Sequence, residues 1–84
     1  DYEKTMSVLK EISSYFEYPQ FQQTYGVNAE NVKQMVAETM TAIENKEDEG
    51  LIKKSLHLLK DITVGAASSL IASGILAILG TLPG

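Results

Sequence analysis

The side chains able to do acid–base or metal chemistry are few and scattered. His57 is the only histidine among 84 residues, and the chain has no cysteine. A metal site needs several ligands that converge on one ion, whereas His57 has Lys54 and Lys60 within one helical turn of it. We therefore expect His57 to be a half-exposed helix residue, and we expect no bound metal or cofactor.

The carboxylates and hydroxyls give no catalytic pattern either. We interpret acidic residues 47–49 as a solvated turn and not as a calcium site, because they lack the spaced oxygen ligands and central glycine of an EF-hand loop. The chain has no phosphate-binding glycine loop, dinucleotide fingerprint or nucleophile elbow. Ser68, Ser69 and Ser73 have no base near them in sequence, and hydroxyls in an apolar helix usually bond to carbonyls of the preceding turn. The sequence predicts a protein that is not an enzyme.

Charge divides the chain into two parts. The seven lysines and eleven carboxylates all lie in residues 1–61, none lies in residues 62–84, and the net charge is −4. There is no arginine. Because phosphate contacts need a basic surface, we expect no nucleic-acid partner. The 44% hydrophobic content is typical of a folded domain.

Apolar residues recur at three- and four-residue spacing, which predicts helices and no strands. Asp1 and Asn28 are the expected N-caps, and Gly65 favours a bend or a short break before the last helix. Tyr18, Phe21 and Tyr25 lie within one face of a short connector, where an aromatic plug at one end of the core is favoured over an aromatic site. The predicted helices cover residues 2–17, 29–46, 47–64 and 66–79, with a connector at 19–26.

We therefore predict an all-α fold, a small three- to four-helix bundle with an uncharged, small-residue-rich C-terminal helix. Residues 1–84 are expected to form one helical domain, the carboxyl-terminal part of a larger protein. The predicted core consists of Leu9, Ile12, Phe16, Val32, Val36, Met40, Ile43, Leu56, Leu59, Ile62, Leu70, Ile71, Ile75 and Leu79.

Small and large side chains alternate with helical spacing in the uncharged segment. Small residues recur every four positions and predict a helix-packing stripe: Gly65, Ser69, Ser73 and Ala77. Large residues on the remaining face are candidates for core or lipid contact: Leu70, Ile71, Ile75, Ile78 and Leu79. A small face lets a second helix approach closely, and a helix that is apolar on most sides must be buried. The covering element is the rest of this domain, a second copy of the chain, or lipid.

A membrane role is the alternative. Residues 62–84 are long enough to span a bilayer as a helix, but their densest apolar part, residues 70–79, has a length more typical of a buried core helix. Lys53, Lys54 and Lys60 precede this segment and form a basic strip that would suit an anionic membrane surface. The same lysines are favoured instead as the solvated face of a helix in a bundle, partly neutralised by nearby carboxylates.

The run Ser69-Leu70-Ile71-Ala72-Ser73-Gly74-Ile75-Leu76 follows a lysine-rich amphipathic helix. With this context, about residues 28–80, it resembles the carboxyl-terminal segments of bacterial abortive-infection proteins of the AbiTii type. The resemblance implies an accessory domain of a phage-defence protein and transfers no catalytic residue. The arrangement is also similar to that of colicin-type pore-formers, which hide an apolar helical hairpin inside a bundle, although this chain has one such helix at most.

Together these patterns predict a non-catalytic helical interaction or oligomerisation module. Its expected partner is a second copy of the chain or another protein domain, and its expected location is the cytoplasm. The alternative is a membrane-associated element that inserts residues 62–80 into lipid.

Overall fold

The computed structural model describes residues 1–66 and 69–82, and the regular structure in these ranges is entirely helical. A 3-10 turn at Gly26–Asn28 joins the second and third helices. The radius of gyration of 11.9 Å matches the value of about 12 Å expected for a compact domain of this length. The all-α prediction is confirmed. The helices are α1 Tyr2–Ser13, α2 Pro19–Tyr25, α3 Ala29–Glu44, α4 Glu49–Gly65 and α5 Leu70–Leu79. Among these described helices, α2 is the shortest, with seven residues.

Helix α1 begins as predicted and ends earlier. The Asp1 carboxylate accepts hydrogen bonds from the backbone N–H groups of the next turn, at 3.0 and 3.4 Å, and so caps the helix. The helix ends at Ser13, because the hydroxyls of Ser13 and Ser14 donate to carbonyls of the preceding turn and compete with helical bonding. The chain then turns, which brings the Phe16 ring to a centroid distance of 4.9 Å from Phe21.

Helices α3 and α4 are joined by a short polar turn that also holds the start of α1. Lys46 has φ of +55°, which ends α3, and its ammonium lies 5.1 Å from the centroid of the Tyr2 ring. The Tyr2 hydroxyl donates to the Glu47 carbonyl at 2.8 Å. Asp48 caps α4 by accepting from the Gly50 N–H at 3.0 Å. Asn28 lies at the N-cap position of α3 as predicted, but its side chain makes no capping hydrogen bond, since the 3-10 turn leads directly into α3.

The break predicted near Gly65 is present. Helix α4 ends at Gly65, and α5 begins at Leu70 after Ser69 adopts an extended conformation. The Ser69 hydroxyl accepts from the Ala72 N–H at 3.0 Å and caps α5. Consequently α5 starts four residues later than predicted, and positions 65 and 69 do not belong to the helix that carries positions 73 and 77. Ser68 lies outside the described residues.

The core lies where α1, α3, α4 and α5 meet, with α2 closing one end against α3 and α5. Nine predicted core residues are buried: Leu9, Ile12, Val32, Val36, Ile43, Leu59, Ile71, Ile75 and Leu79. Four are only half-buried at its edge: Phe16, Met40, Leu56 and Ile62. Buried residues absent from the predicted core include Val8, Phe21, Tyr25, Ala29, Ile52 and Ala72.

Leu70 is a wrong core prediction, since its side chain is 93% exposed. Because the chain breaks before α5, Leu70 is the first residue of a new helix rather than a middle residue of a longer one. It lies about 140° around this helix from the fully buried Ile75. Its side chain therefore faces solvent although its residue type suits a core.

Two residues of the predicted aromatic plug, Phe21 and Tyr25, are buried with ring centroids 4.9 Å apart, and Phe16, not Tyr18, completes it at 4.9 Å from Phe21. Tyr18 is exposed instead and contacts Tyr15 edge-on. The Tyr25 hydroxyl lies 2.7 Å from Oγ1 of the buried Thr63, which joins α2 to α4. Burial raises the pKa of Tyr25, and the hydrogen bond with Thr63 partly opposes this rise.

Candidate functional site

Helix α5 presents two different faces. Its large side chains Ile71, Ile75 and Leu79 are buried against the rest of the bundle. The outer face carries Leu70, Ser73 and Ala77, all exposed and none charged. An exposed helix face normally carries charged residues, as α3 does with Glu30, Glu38 and Glu44 on its outer surface. The outer face of α5 is therefore unusual for a surface that only meets water.

The structure brings together two of the four predicted small-stripe residues. Ser73 and Ala77 lie one turn apart on α5, whereas Gly65 is the exposed end of α4. Ser69 is half-buried, and its hydroxyl is engaged by the Ala72 N–H and by Thr24 Oγ1 at 3.0 Å. The exposed part of the stripe that lies on α5 is thus the pair Ser73 and Ala77.

Two small residues outside the predicted stripe, Ala72 and Gly74, are the ones that α5 turns toward the rest of the domain. Ala72 is fully buried. A Cβ atom added at Gly74 would lie 3.0 Å from the hydroxyl oxygen of Tyr15, so the turn that follows α1 packs on α5 at a position that has no side chain. These residues lie to either side of the line through Ser73 and Ala77. Small size marks all four in the sequence, but only the packing of neighbouring helices distinguishes the covered pair from the exposed one.

A groove of about 440 Å³ runs between α4 and α5, next to the outer face of α5. Its lining is largely apolar and open to solvent on one side. Val64, which is 53% exposed, is the most exposed large apolar residue of this lining. The apolar lining consists of Leu56, Val64, Leu76, Leu79 and Leu82, with Gly80 beside them.

Three basic residues border this groove along α4. Lys53, His57 and Lys60 recur at four- and three-residue spacing, so they share one edge of the helix. Lys54, by contrast, lies about 100° further around α4 and outside the groove. The predicted basic strip is therefore divided between two surfaces.

The rim lysines have no carboxylate partner within the described residues. The only ion pair within 4.0 Å in residues 1–66 and 69–82 joins Lys33 to Glu30, at 3.8 Å. The lining of the groove contains no acidic residue among those described. At its end nearest α1 the groove adjoins a smaller hollow of about 70 Å³, which Lys53 lines together with Asp1 and Glu49. The groove therefore has a cationic edge, an apolar floor and an uncharged far wall.

The described residues offer little for metal chemistry. No three His, Cys, Asp or Glu side chains cluster there as ligands for an ion. His57 is exposed on the groove rim with lysines on both sides, where cations disfavour a bound metal.

Within the same described ranges, no helix combines the length and apolarity that crossing a bilayer requires.

Comparison with protein-family models, with curated proteins and with solved structures gives no match to this chain. The outer face of α5 and the groove between α4 and α5 are the surfaces whose chemistry bears on the role of the domain.

Proposed function

We propose that this domain is a non-catalytic helical interaction module that associates through the outer face of α5. The simplest partner for this face is a second copy of the chain, and the alternative partner is another protein domain. The observation that carries the proposal is the exposed, uncharged surface formed by Leu70, Ser73 and Ala77. Leu70 alone leaves 93% of its side chain in contact with water. Covering such a surface with protein removes apolar area from water and is favourable.

The small residues at positions 73 and 77 suit a helix as the occupant. They lie one turn apart, so a second helix is able to approach the α5 backbone closely along this line. Neither position carries a charge that the contact would have to desolvate. An accessory role in a phage-defence protein is the setting that we propose, and its support is the resemblance of residues 69–76.

The alternative function, insertion of residues 62–80 into lipid, would require α5 to leave the bundle, which costs the free energy gained by burying its side chains. Ile71, Ile75 and Leu79 form part of the core and would have to leave it. Each such side chain contributes about 1.5–3 kcal/mol by burial, and a bundle of this size is only marginally stable. Association through the outer face of α5 requires no such opening, which is why we favour it.

Sedimentation velocity on the wild-type chain and on Ser73→Glu tests the proposal. We expect concentration-dependent association of the wild type at up to about 1 mM, where a free energy of about −4 kcal/mol is detectable. The variant places a charge in the contact and should weaken association at least tenfold, about 1.4 kcal/mol. Ser7→Glu is the matched control, because Ser7 is an exposed helical serine on α1 and not part of the outer face of α5.

Both serine variants should melt as the wild type does, within about 0.5 kcal/mol, since both sites are exposed. A wild-type chain that stays monomeric over the whole range would refute self-association. If the same chain also floated with vesicles of anionic lipid, the membrane alternative would replace it.

A further inference from the structure

We propose that the groove between α4 and α5 binds an acidic amphipathic helix of a partner protein. The inference deepens the proposed interaction role but uses a different surface, since the groove lies between the two helices and not on the outer face of α5.

The shape of the groove suits a helix. Its lining along α4 extends from Lys53 to Val64, a distance of about 16 Å or three helical turns. Its floor is apolar over this length, and its open side admits an elongated element rather than enclosing a small molecule. A helix that lays an apolar stripe into such a groove is a recurrent mode of recognition.

The charge of the rim selects the sign of the partner. Lys53, His57 and Lys60 repeat with the same helical spacing that carboxylates on a facing helix would have. Neither rim ammonium lies within 4.0 Å of a described carboxylate oxygen, so both are able to pair with a partner, although Lys53 shares the adjoining hollow with Asp1 and Glu49. Since α5 is uncharged, carboxylates on the other flank of the partner meet no like charge there. A basic helix would be repelled along the α4 rim.

The described helices of this chain do not provide such a partner in a second copy. The acidic outer surface of α3 has no exposed large apolar residue between its carboxylates. The exposed Leu51 and Leu58 of α4 share their edge with Lys54, which has the wrong sign. A different chain, with a leucine- or isoleucine-rich stripe flanked by Glu or Asp, meets the requirements of the groove.

A synthetic peptide is the probe. It has about 18 residues, or five helical turns, with leucines at helical spacing and glutamates flanking them, and a matched peptide carries lysine at each glutamate position. We expect fluorescence anisotropy to show that the acidic peptide binds the wild-type domain at least tenfold more tightly than the basic one.

Two double variants with equal changes in net charge locate the binding. Lys53→Glu/Lys60→Glu reverses the rim and should weaken binding of the acidic peptide at least tenfold. Lys10→Glu/Lys54→Glu changes exposed lysines outside the groove and should leave binding within about twofold, apart from the screened long-range effect of net charge. At the end of the cationic edge, Val64→Ala removes apolar lining and should weaken binding several-fold, whereas Leu58→Ala, on the opposite edge of α4, should not.

The proposal is overturned if the basic peptide binds as tightly as the acidic one, or if the two double variants lose affinity equally. It is also overturned if no acidic peptide binds while wild-type protein floats with vesicles of phosphatidylcholine and phosphatidylglycerol, because a lipid headgroup would then be the occupant. Thermal melts of each variant establish that the fold is retained. The self-association measured with Ser73→Glu is a separate result, so either proposal is able to fail alone.

Discussion

Replacing Thr63 with Val tests the buried hydrogen bond that joins α2 to α4. Thr63 is fully buried, and its hydroxyl donates to the Leu59 carbonyl at 2.8 Å. A hydroxyl has one proton, so the 2.7 Å contact with Tyr25 must have the tyrosine as donor. Valine keeps the shape of the side chain and removes the acceptor. The Tyr25 hydroxyl, on a side chain only 4% exposed, would then lose its partner in this region.

The expected loss is about 1–3 kcal/mol, the cost of leaving a buried polar group unsatisfied. Tyr25→Phe alone should cost less, about 0.5–1.5 kcal/mol, because Thr63 still donates to Leu59. The double variant removes both hydroxyls and leaves no orphaned donor between the two helices. It should therefore be more stable than the sum of the single losses predicts, with a coupling of about 0.5–3 kcal/mol.

Urea unfolding at neutral pH, followed by circular dichroism, gives the four free energies of unfolding. A loss below about 0.5 kcal/mol for Thr63→Val would refute the reasoning, since that is the range of surface substitutions. Strict additivity in the double variant would also refute it, because it would mean that the two hydroxyls do not interact.

Three further predictions use the same kind of measurement. Gly74→Ala should gain little in the wild type, because its Cβ meets the Tyr15 hydroxyl at 3.0 Å, but in a Tyr15→Phe background the helix propensity of alanine should stabilise the domain by about 0.5–1 kcal/mol in urea unfolding. Ala72→Leu should cost about 1–3 kcal/mol by overpacking, while Ser73→Leu should leave the thermal melt of the monomer nearly unchanged; equal effects would contradict the assigned burial. Because the pKa of Tyr25 is raised in the folded chain, the tyrosine hydroxyl loses its proton at lower pH in the unfolded chain than in the folded one. The stabilisation that comes from this pKa difference is complete below the ordinary tyrosine pKa and is lost as the pH rises above about 10. The free energy of unfolding of Tyr25→Phe should therefore fall less than that of the wild type over this alkaline range.

The sequence by itself determined that α1, α3, α4 and α5 are helices, and it determined much of the core, but its pattern over residues 19–26, which contain α2, predicts only a connector. Apolar spacing of three and four residues indicates a helix wherever it occurs, because this periodicity belongs to a single element and needs no neighbour. The cap at Asp1 and the break near Gly65 are equally local, since each depends on a few adjacent residues. The uneven charge distribution, with no charged side chain in residues 62–84, is likewise a property of the sequence alone.

Only the tertiary structure decided which side of α5 is covered. Ala72 and Gly74 are packed while Ser73 and Ala77 are exposed, although all four are small. The start of a new helix at Leu70, capped by Ser69, sets the direction in which every later side chain of α5 points, and that direction depends on how α5 packs on its neighbours.

The candidate groove is a tertiary feature for the same reason. Lys53, Lys54 and Lys60 form one strip in the sequence, but only Lys53 and Lys60 border the groove, because α5 packs on one side of α4. Helical spacing tells which residues share a face, whereas the neighbouring helix decides which of those faces becomes core, groove or open surface.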